Sequence, residues 1–310
     1  MITKLKYKDH EEWLALRHQY IGGSDAGAVV GMNPYKSRYA LWAEKTNKVA
    51  GFEGNITTKV GAYLEDLVAQ MFEEETGKKV QKVNSSFHNS DYPFAIANID
   101  RKVVGENALL EIKTTNSIPI MKQLRKTEFP EAYYCQVVQY MAVTGLQKAY
   151  LAVLINCREF KVYELDRDQA EIDALMQTEK EFWHLVETNT PPAVDGEEST
   201  SDTLAALYPE STDREVDLSP LSKELKEYTD LSAQIKELTK LKDEKANIIK
   251  GYMKDASRGK HEGYSITFKG QSKITFNDKA FATDHKDMNL EKYYKISNYR
   301  TLKITEKENK

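Results

Sequence analysis

Two acidic residues and a lysine have types and spacing suited to a metal-dependent hydrolytic site. Asp100 follows the apolar run FAIANI, while Glu111 and Lys113 flank Ile112 in the run ALLEIKTT. Successive side chains of a strand point to opposite faces, so Glu111 and Lys113 should share one face while Ile112 points into the core. A turn through residues 105–107 should bring Asp100 beside them.

This arrangement would suit the hydrolysis of phosphodiester bonds. Two carboxylates supply the oxygen ligands that hard cations such as Mg²⁺ prefer. The cation lowers the pKa of its water and stabilises the leaving oxygen. A neighbouring lysine can orient or deprotonate that water, or balance the charge of the transition state. A strand reading Glu-x-Lys also occurs as a simple surface ion pair, so the interpretation depends on the rest of the chain.

The elements that must position these residues indicate an α/β fold. Apolar spacing and capping residues predict helices over 9–19, 37–47, 57–76, 131–143 and 168–187, and Ser24 is expected to cap a short helix over 25–30. Alternating and β-branched residues predict strands over 79–83, 94–104 and 108–114, and a hairpin of 149–156 with 159–165. This order predicts a mixed central sheet flanked by helices, in a domain spanning residues 1–188.

The remainder of the chain is expected to form an extension. Residues 189–217 contain a proline pair and an acidic polar run, which predict a linker. Residues 218–254 repeat apolar side chains at helical spacing and predict a long amphipathic helix or coiled-coil arm. Short strands are expected over 264–269 and 273–276. The extension thus comprises residues 218–310, a helical arm with a small β part.

Composition narrows the class of protein. The chain is 40% hydrophobic and 30% charged, which favours a packed core over disorder. It has no apolar run of membrane-spanning length, and its start lacks the apolar core of a secretory signal, so we expect a cytoplasmic protein. Cys135 and Cys157 lack partners at metal-ligand spacing. The net charge of −4 argues against bulk attraction to nucleic acid, although a basic cleft can coexist with an acidic body.

Several motifs together resemble one family. Asp100 with Glu111-Ile112-Lys113 is similar to the PD-(D/E)XK nuclease motif. The flanking residues resemble the lambda exonuclease or YqaJ-type viral recombinase family, in the family's order and over roughly residues 9–188. They are RHQYIGGSDA at 17–26, NPYKS at 33–37 with LW at 41–42, GAYLE at 61–65 and AYYCQVVQY at 132–140.

The resemblance implies roles for individual residues. Asp100 and Glu111 would bind metal, with the carbonyl oxygen of Ile112 as a further ligand and Glu65 completing the shell directly or through water. Lys113 would assist the nucleophile. Gln136 would lie beside the active site, with Gln139 as the competing candidate. Arg17 and Ser24 would bind a 5′-terminal phosphate. The expected cofactor is Mg²⁺, two ions, with Mn²⁺ as a substitute.

The resemblance also implies an activity and partners. The expected reaction is 5′-to-3′ degradation of one strand of linear double-stranded DNA, leaving 3′ overhangs for a phage-type single-strand annealing protein of the RecT or beta kind. Family members form trimeric rings around DNA, so a homo-oligomer encoded by a phage or prophage is expected. Two alternatives stay open: a PD-(D/E)XK endonuclease, and a non-catalytic scaffold for DNA ends or annealing proteins. An iron–sulfur nuclease is disfavoured because it needs about four cysteines.

Overall fold

The computed structural model describes residues 1–52, 54–125, 129, 131–286, 288–289, 291–295 and 299–305. The chain divides into two compact units, Met1–Tyr208 and Pro209–Lys310. None of the helices in the described ranges is both long and apolar enough to cross a membrane.

The first unit mixes eight helices with nine strands among its described residues. In chain order its elements are β1 (Ile2–Leu5), α1 (His10–His18), β2 (Ile21–Gly22), α2 (Gly23–Val29), α3 (Arg38–Lys45), α4 (Ile56–Thr76), β3 (Val80–Lys82), β4 (Ser86–Asn89), β5 (Ala95–Ala97), β6 (Arg101–Val103), β7 (Ala108–Thr115), α5 (Ile118–Arg125), α6 (Glu131–Thr144), β8 (Lys148–Ile155), β9 (Glu159–Asp166), α7 (Gln169–Glu187) and α8 (Glu198–Leu207).

The central sheet has five strands in the order β3-β6-β7-β8-β9. Strands β7 and β8 pair in parallel over eight residues, and the other neighbours are antiparallel. Because a parallel pair is covered on both faces, β8 reads as a nearly continuous apolar run that is buried after Lys148. The expected mixed sheet with flanking helices is therefore confirmed.

The helices cover this sheet from both sides. Val68 and Phe72 of α4 pack with Leu110 of β7 and Tyr150 of β8 in one core cluster. Gly77, at φ +70°, ends α4 in the left-handed conformation that favours glycine. A larger cluster combines apolar residues of α2, α3, α6 and α7. Strand β7, which carries Glu111 and Lys113, is thus fixed by apolar packing over most of its length.

The single strand expected over residues 94–104 is in fact two strands in two sheets. Strand β5 pairs with β4 and β2 in a four-stranded sheet, whereas β6 pairs with β3 and β7 in the central sheet. The change occurs between Asn98 and Asp100, where the Asn98 side chain accepts a hydrogen bond from Ser86 Oγ at 2.5 Å. Asp100 therefore lies at the crossing point between the sheets.

The boundary of the first unit, after Tyr208, lies within the segment 189–217 that was expected to be a linker. Residues 198–207 form helix α8, which contacts α3. Its Thr200 is buried and donates a hydrogen bond to Ser37 Oγ at 2.7 Å. The polar composition concealed this helix, because its buried side chains are threonines, whose hydroxyls bond Ser37 from Thr200 and the Ser199 carbonyl oxygen from Thr203.

The second unit contains the expected long helix, α9 (Ser222–Met253), and none of the residues of this helix is buried. A hairpin follows, formed by β10 (Arg258–His261) and β11 (Tyr264–Thr267), and then a short helix α10 (Asp278–Asp284). The strand expected over 264–269 is present as β11, shortened to 264–267, and pairs with residues 258–261. The strand expected over 273–276 is wrong, because these residues form neither strand nor helix. Gly263, at φ +78°, supplies the tight turn between β10 and β11.

Candidate active site

Strand β7 places Glu111 and Lys113 on one face, because side chains two residues apart on a strand point the same way. The Glu111 side chain is buried, and its Oε1 accepts a hydrogen bond from Lys113 Nζ. Lys113 Nζ also lies 5.4 Å from the ring centroid of Tyr133 on α6. The ammonium is therefore held between a carboxylate and an aromatic face, both of which favour its charged form.

Asp100 reaches the same place through a hydrogen bond to the backbone of β7. The β6–β7 ladder runs from Lys102 paired with Leu109 to Arg101 paired with Leu110. One step further, Asp100 Oδ2 accepts from the backbone N–H of Ile112 at 2.8 Å. The side chain thus continues the ladder and brings its carboxylate beside Glu111.

Burial and neighbouring charges perturb both carboxyl groups. Burial raises the pKa of Asp100 well above its usual range, and the neighbouring Glu111 raises it further. Burial also raises the pKa of Glu111, against the opposing effect of Lys113. Burial alone would lower the pKa of Lys113, but Glu111 and Asp100 raise it above its ordinary value. This pair of acids therefore has a strong electrostatic preference for an added cation.

The glutamine that contacts the acidic pair is Gln136, whereas Gln139 contacts other residues. Gln136 Nε2 donates to Glu111 Oε1 at 2.7 Å and to Tyr140 Oη at 2.9 Å. Gln139, one turn along α6, donates instead to the carbonyl oxygens of Ile21 and Ile96. Gln139 therefore ties α6 to the smaller sheet, and Gln136 positions the carboxylate.

The remaining oxygen of Glu111 suits a metal ion. Glu111 Oε2 is buried and has no hydrogen-bond partner among the described residues. Burying a carboxylate oxygen without a hydrogen-bond partner lowers the stability of the fold unless a cation or water contacts it. Together with the carboxylate of Asp100, it offers the oxygen ligands that Mg²⁺ or Mn²⁺ accepts. The side chains present therefore fit a divalent cation.

Glu65 does not join this pair as a free third carboxylate. Its Oε1 accepts from Arg101 Nη1 at 2.5 Å and lies 3.4 Å from Lys82 Nζ. Its charge still acts on Asp100 and Glu111. Within the described ranges, no three acidic, histidine or cysteine side chains form a group that could hold a metal ion. The expected three-acid cluster is therefore corrected to a pair, because a buried arginine competes for Glu65.

Arg17 and Ser24 meet at a small basic site at the start of α2. Arg17 Nη2 donates to Ser24 Oγ at 2.6 Å, and Ser24 is exposed. Ser24 is not the N-cap that we expected. The helix begins two residues earlier than expected, at Gly23 with Gly22 as N-cap, and the Gly22 N–H donates to Asp25 Oδ2 at 3.1 Å. The hydroxyl of Ser24 is thus left to face Arg17.

Asp25 and Lys45 are contributors that the sequence analysis missed. Buried Asp25 lies 2.9 Å from Lys45 Nζ and 3.8 Å from Arg17 Nη2. Burial alone would raise the pKa of Asp25, but Lys45 and Arg17 hold it well below its usual range. Lys45 Nζ also donates to the carbonyl oxygens of Arg17 and Tyr20. The carboxylate therefore anchors two cations at the site, and its place one residue after Ser24 was the available signal.

Tyr140 connects the basic site to the acidic pair. Its hydroxyl is bonded by Gln136, and its ring lies against Gly23, where a Cβ atom would be only 2.2 Å from Tyr140 Cε1. Its pKa is raised well above the usual value by burial and by Glu111 and Asp100, and Arg17 acts in the opposite sense. The two halves of the site are therefore adjacent across one aromatic ring.

The fold described above occurs in solved structures of exonucleases. The fold is similar to that of the alkaline exonuclease LHK-Exo from Laribacter hongkongensis, with a TM-score of 0.51 and 22% identity, over 64% of this chain and 100% of that one. LHK-Exo in complex with dAMP gives the same TM-score and identity over 58% and 94% of the two chains. These likenesses establish the fold.

The chain belongs to the YqaJ-like viral recombinase family. The family model, described as a YqaJ-like viral recombinase domain, matches residues 12–147. An uncharacterized protein, YqaJ of Bacillus subtilis (strain 168), is 35% identical over 312 aligned residues, covering 99% of this chain and 97% of that protein. The second unit is therefore shared with a relative over its whole length, and the resemblance inferred from five short motifs is confirmed.

Proposed function

We propose that this protein is a Mg²⁺-dependent deoxyribonuclease that degrades one strand of linear duplex DNA from a 5′-phosphorylated end. The observation that carries the proposal is the buried Glu111 carboxylate. One of its oxygens is bonded by Lys113 and Gln136, and the other has no partner in the part of the chain that the structure describes. A buried acid with one open oxygen beside a second acid is the donor set of a metal-dependent hydrolase. The names of the similar exonucleases and of the family support this class.

Each side chain would have a distinct part in the reaction. Asp100 and Glu111 would hold the metal, with the Ile112 carbonyl oxygen as a further ligand. The bound cation would polarise the scissile phosphate and lower the pKa of the attacking water. Lys113 would place its positive charge beside the phosphate oxygens as negative charge develops there, and Gln136 would keep Glu111 in its rotamer. Glu65 would act on the metal through its charge or through water.

The basic site would select the DNA end. Arg17 offers a planar fork suited to a phosphate, and the Ser24 hydroxyl and the start of α2 add further donors. Because Arg17 already bonds Ser24 and is anchored by Asp25, little side-chain ordering would be needed on binding. Tyr140 would separate the terminal phosphate from the metal centre, so that the bond cleaved lies a short distance inside the strand.

We further propose that the 3′ overhangs feed an annealing protein of the RecT or beta kind, in the host cytoplasm, and that the protein acts as a homo-oligomer. The membership in a viral recombinase family supports a recombination role. A ring of three copies around the duplex would make degradation processive.

The test compares three DNA substrates at equal concentration with Mg²⁺ or with Mn²⁺. They are a linear duplex with 5′ phosphates, the same duplex with 5′ hydroxyls, and a covalently closed circle. We expect rapid release of nucleotides from the first, slower release from the second and none from the third. Cleavage of the circle at a similar rate would favour the endonuclease alternative. The absence of hydrolysis with either cation would favour the non-catalytic scaffold.

A further inference from the structure

Arg101 is a buried cation next to the acidic pair, and the hydrolytic chemistry described above does not use it. It is only 4% exposed. Its Nη1 donates to Glu65 Oε1 at 2.5 Å and to the carbonyl oxygen of Asp100 at 2.8 Å, and its Nη2 donates to Asp66 Oδ1 at 2.5 Å. One guanidinium thus joins α4 to the chain segment that positions Asp100.

Through these contacts, Glu65 forms an ion pair with a cation of the protein itself. The planar fork of arginine matches two acceptors on successive residues, a geometry that lysine cannot reproduce. Lys82 is more exposed and lies further away, 3.4 Å from Glu65 and 3.7 Å from Asp66. A metal ion that took Glu65 Oε1 as a direct ligand would have to compete with Arg101, and breaking this pair would leave the buried guanidinium with Asp66 as its remaining carboxylate partner.

The acidic pair differs from Glu65 in lacking a full set of protein partners. Glu111 Oε2 is buried without a partner among the described residues, whereas Glu65 Oε1 has two nearby cations. The four acids at 65, 66, 100 and 111 face the three bases at 82, 101 and 113, leaving one net negative charge when all are ionised. One divalent ion reverses that balance, and a second would add two further positive charges to a buried region.

We propose that Arg101 acts as a built-in counterion for Glu65 and thereby limits the centre to one tightly bound divalent ion, held by Asp100 and Glu111. The inference rests on the proposed metal-dependent function and replaces the expectation of two ions. Arg101 is accordingly a positioning residue that fixes Glu65 on α4 and the Asp100 backbone. Its positive charge also neutralises the Glu65 carboxylate, which a second metal ion would otherwise neutralise.

The experiment is a Mn²⁺ titration of the full-length protein without DNA, in which electron paramagnetic resonance measures free Mn²⁺. We expect one tight ion per chain. Arg101→Met should raise the stoichiometry to two, because Glu65 and Asp66 lose their buried counterion. Lys102→Met is the matched control, since it removes the same charge from the neighbouring exposed position of β6 and should leave one ion. Circular dichroism checks the folding of each variant.

Glu65→Gln keeps the inference testable if Arg101→Met does not fold. We expect Glu65→Gln to change the Mn²⁺ dissociation constant by less than about threefold, whereas Asp100→Asn should weaken binding about tenfold or more, as expected for loss of a direct carboxylate ligand. Two tight ions in the unmodified protein, one of them lost in Glu65→Gln, would overturn the inference and leave the proposed function intact. No Mn²⁺ binding by the unmodified protein would instead contradict the proposed function.

Discussion

Gln136 on α6 holds Glu111 on β7 through a hydrogen bond from Nε2 to Oε1 of 2.7 Å. Both side chains are buried, so this bond and the contact with Lys113 fix which carboxylate oxygen is left for a metal ion. The geometry of the acidic pair thus depends on a helix that contributes neither of its two acids.

Loss of this bond should weaken both metal binding and turnover. We expect Gln136→Met to lower the Mn²⁺ affinity and the rate of DNA hydrolysis by about 10-fold to 100-fold, since residues that orient ligands typically contribute effects of that size. Titration calorimetry and single-turnover cleavage measure the two effects. Gln147→Met makes the same change at an exposed position and should alter neither. Unchanged affinity in Gln136→Met would mean that Glu111 is positioned without α6.

The basic site should control the preference for the DNA end. Arg17→Ala removes the fork beside Ser24, and we expect the ratio of rates for 5′-phosphorylated and 5′-hydroxyl duplexes to fall about tenfold, toward one, because a charge-assisted hydrogen bond is worth about 1.5–3 kcal/mol. Hydrolysis of the 5′-hydroxyl duplex should persist. Arg158→Ala, at an exposed position, is the control. A ratio that stays high in Arg17→Ala would place phosphate recognition elsewhere.

Close packing at Gly23 should make this position intolerant of any side chain. A Cβ atom there would lie 2.2 Å from the Tyr140 ring, so Gly23→Ala must displace the ring or α2. We expect a loss of about 1–3 kcal/mol in the free energy of unfolding, the usual cost of overpacking. Urea denaturation provides the measurement. Gly196→Ala, which meets no atom within 4 Å, should stay within about 0.5 kcal/mol.

Glu179 should make stability depend on pH. This residue of α7 is fully buried, and its carboxylate oxygens have no hydrogen-bond partner among the described residues. Burial raises its pKa well above the usual value, and Asp25 adds to the shift. The folded state therefore keeps a proton that the unfolded state loses above about pH 4.3, so this group lowers stability progressively as the pH rises toward its folded pKa.

Glu179→Gln removes that proton equilibrium from both states. The variant should be more stable than the unmodified protein, by an amount that grows between pH 5 and pH 8 at up to about 1.4 kcal/mol per pH unit. Urea denaturation at both pH values measures the difference. Glu181→Gln, at an exposed position on the same helix, should show no such trend. A gain for Glu179→Gln that is equal at pH 5 and pH 8 would contradict a raised pKa.

Local pattern was sufficient to predict the strand that carries the motif. The shared face of Glu111 and Lys113 follows from the two-residue period of a strand, and the ends of α4 and α7 follow from Gly77 and Asp168, which are local capping signals. The parallel pairing of β7 with β8 agrees with an α/β order of elements.

Other features depend on contacts between distant parts of the chain. The bond between Arg101 and Glu65 joins residues 36 positions apart, and no local pattern predicts that a buried arginine would take this carboxylate. The division of the strand over 94–104 depends on which neighbours β5 and β6 pair with. The hairpin around Gly263 has a local signal in the turn at residues 262–263, but the apolar strand-like residues at 274–276 favour a different pairing of 264–267.

The central claim is that the acidic pair and Lys113 form a metal-dependent hydrolytic centre. Its most direct test is the single-turnover rate of nucleotide release from a 5′-phosphorylated linear duplex in Mg²⁺, measured for the unmodified protein, for Lys113→Ala and for Lys180→Ala, an exposed lysine on α7. We predict Mg²⁺-dependent release that is lost on adding EDTA, falls by at least about a hundredfold in Lys113→Ala and is unchanged in Lys180→Ala. Release at the full rate by Lys113→Ala, or in EDTA, would contradict the account.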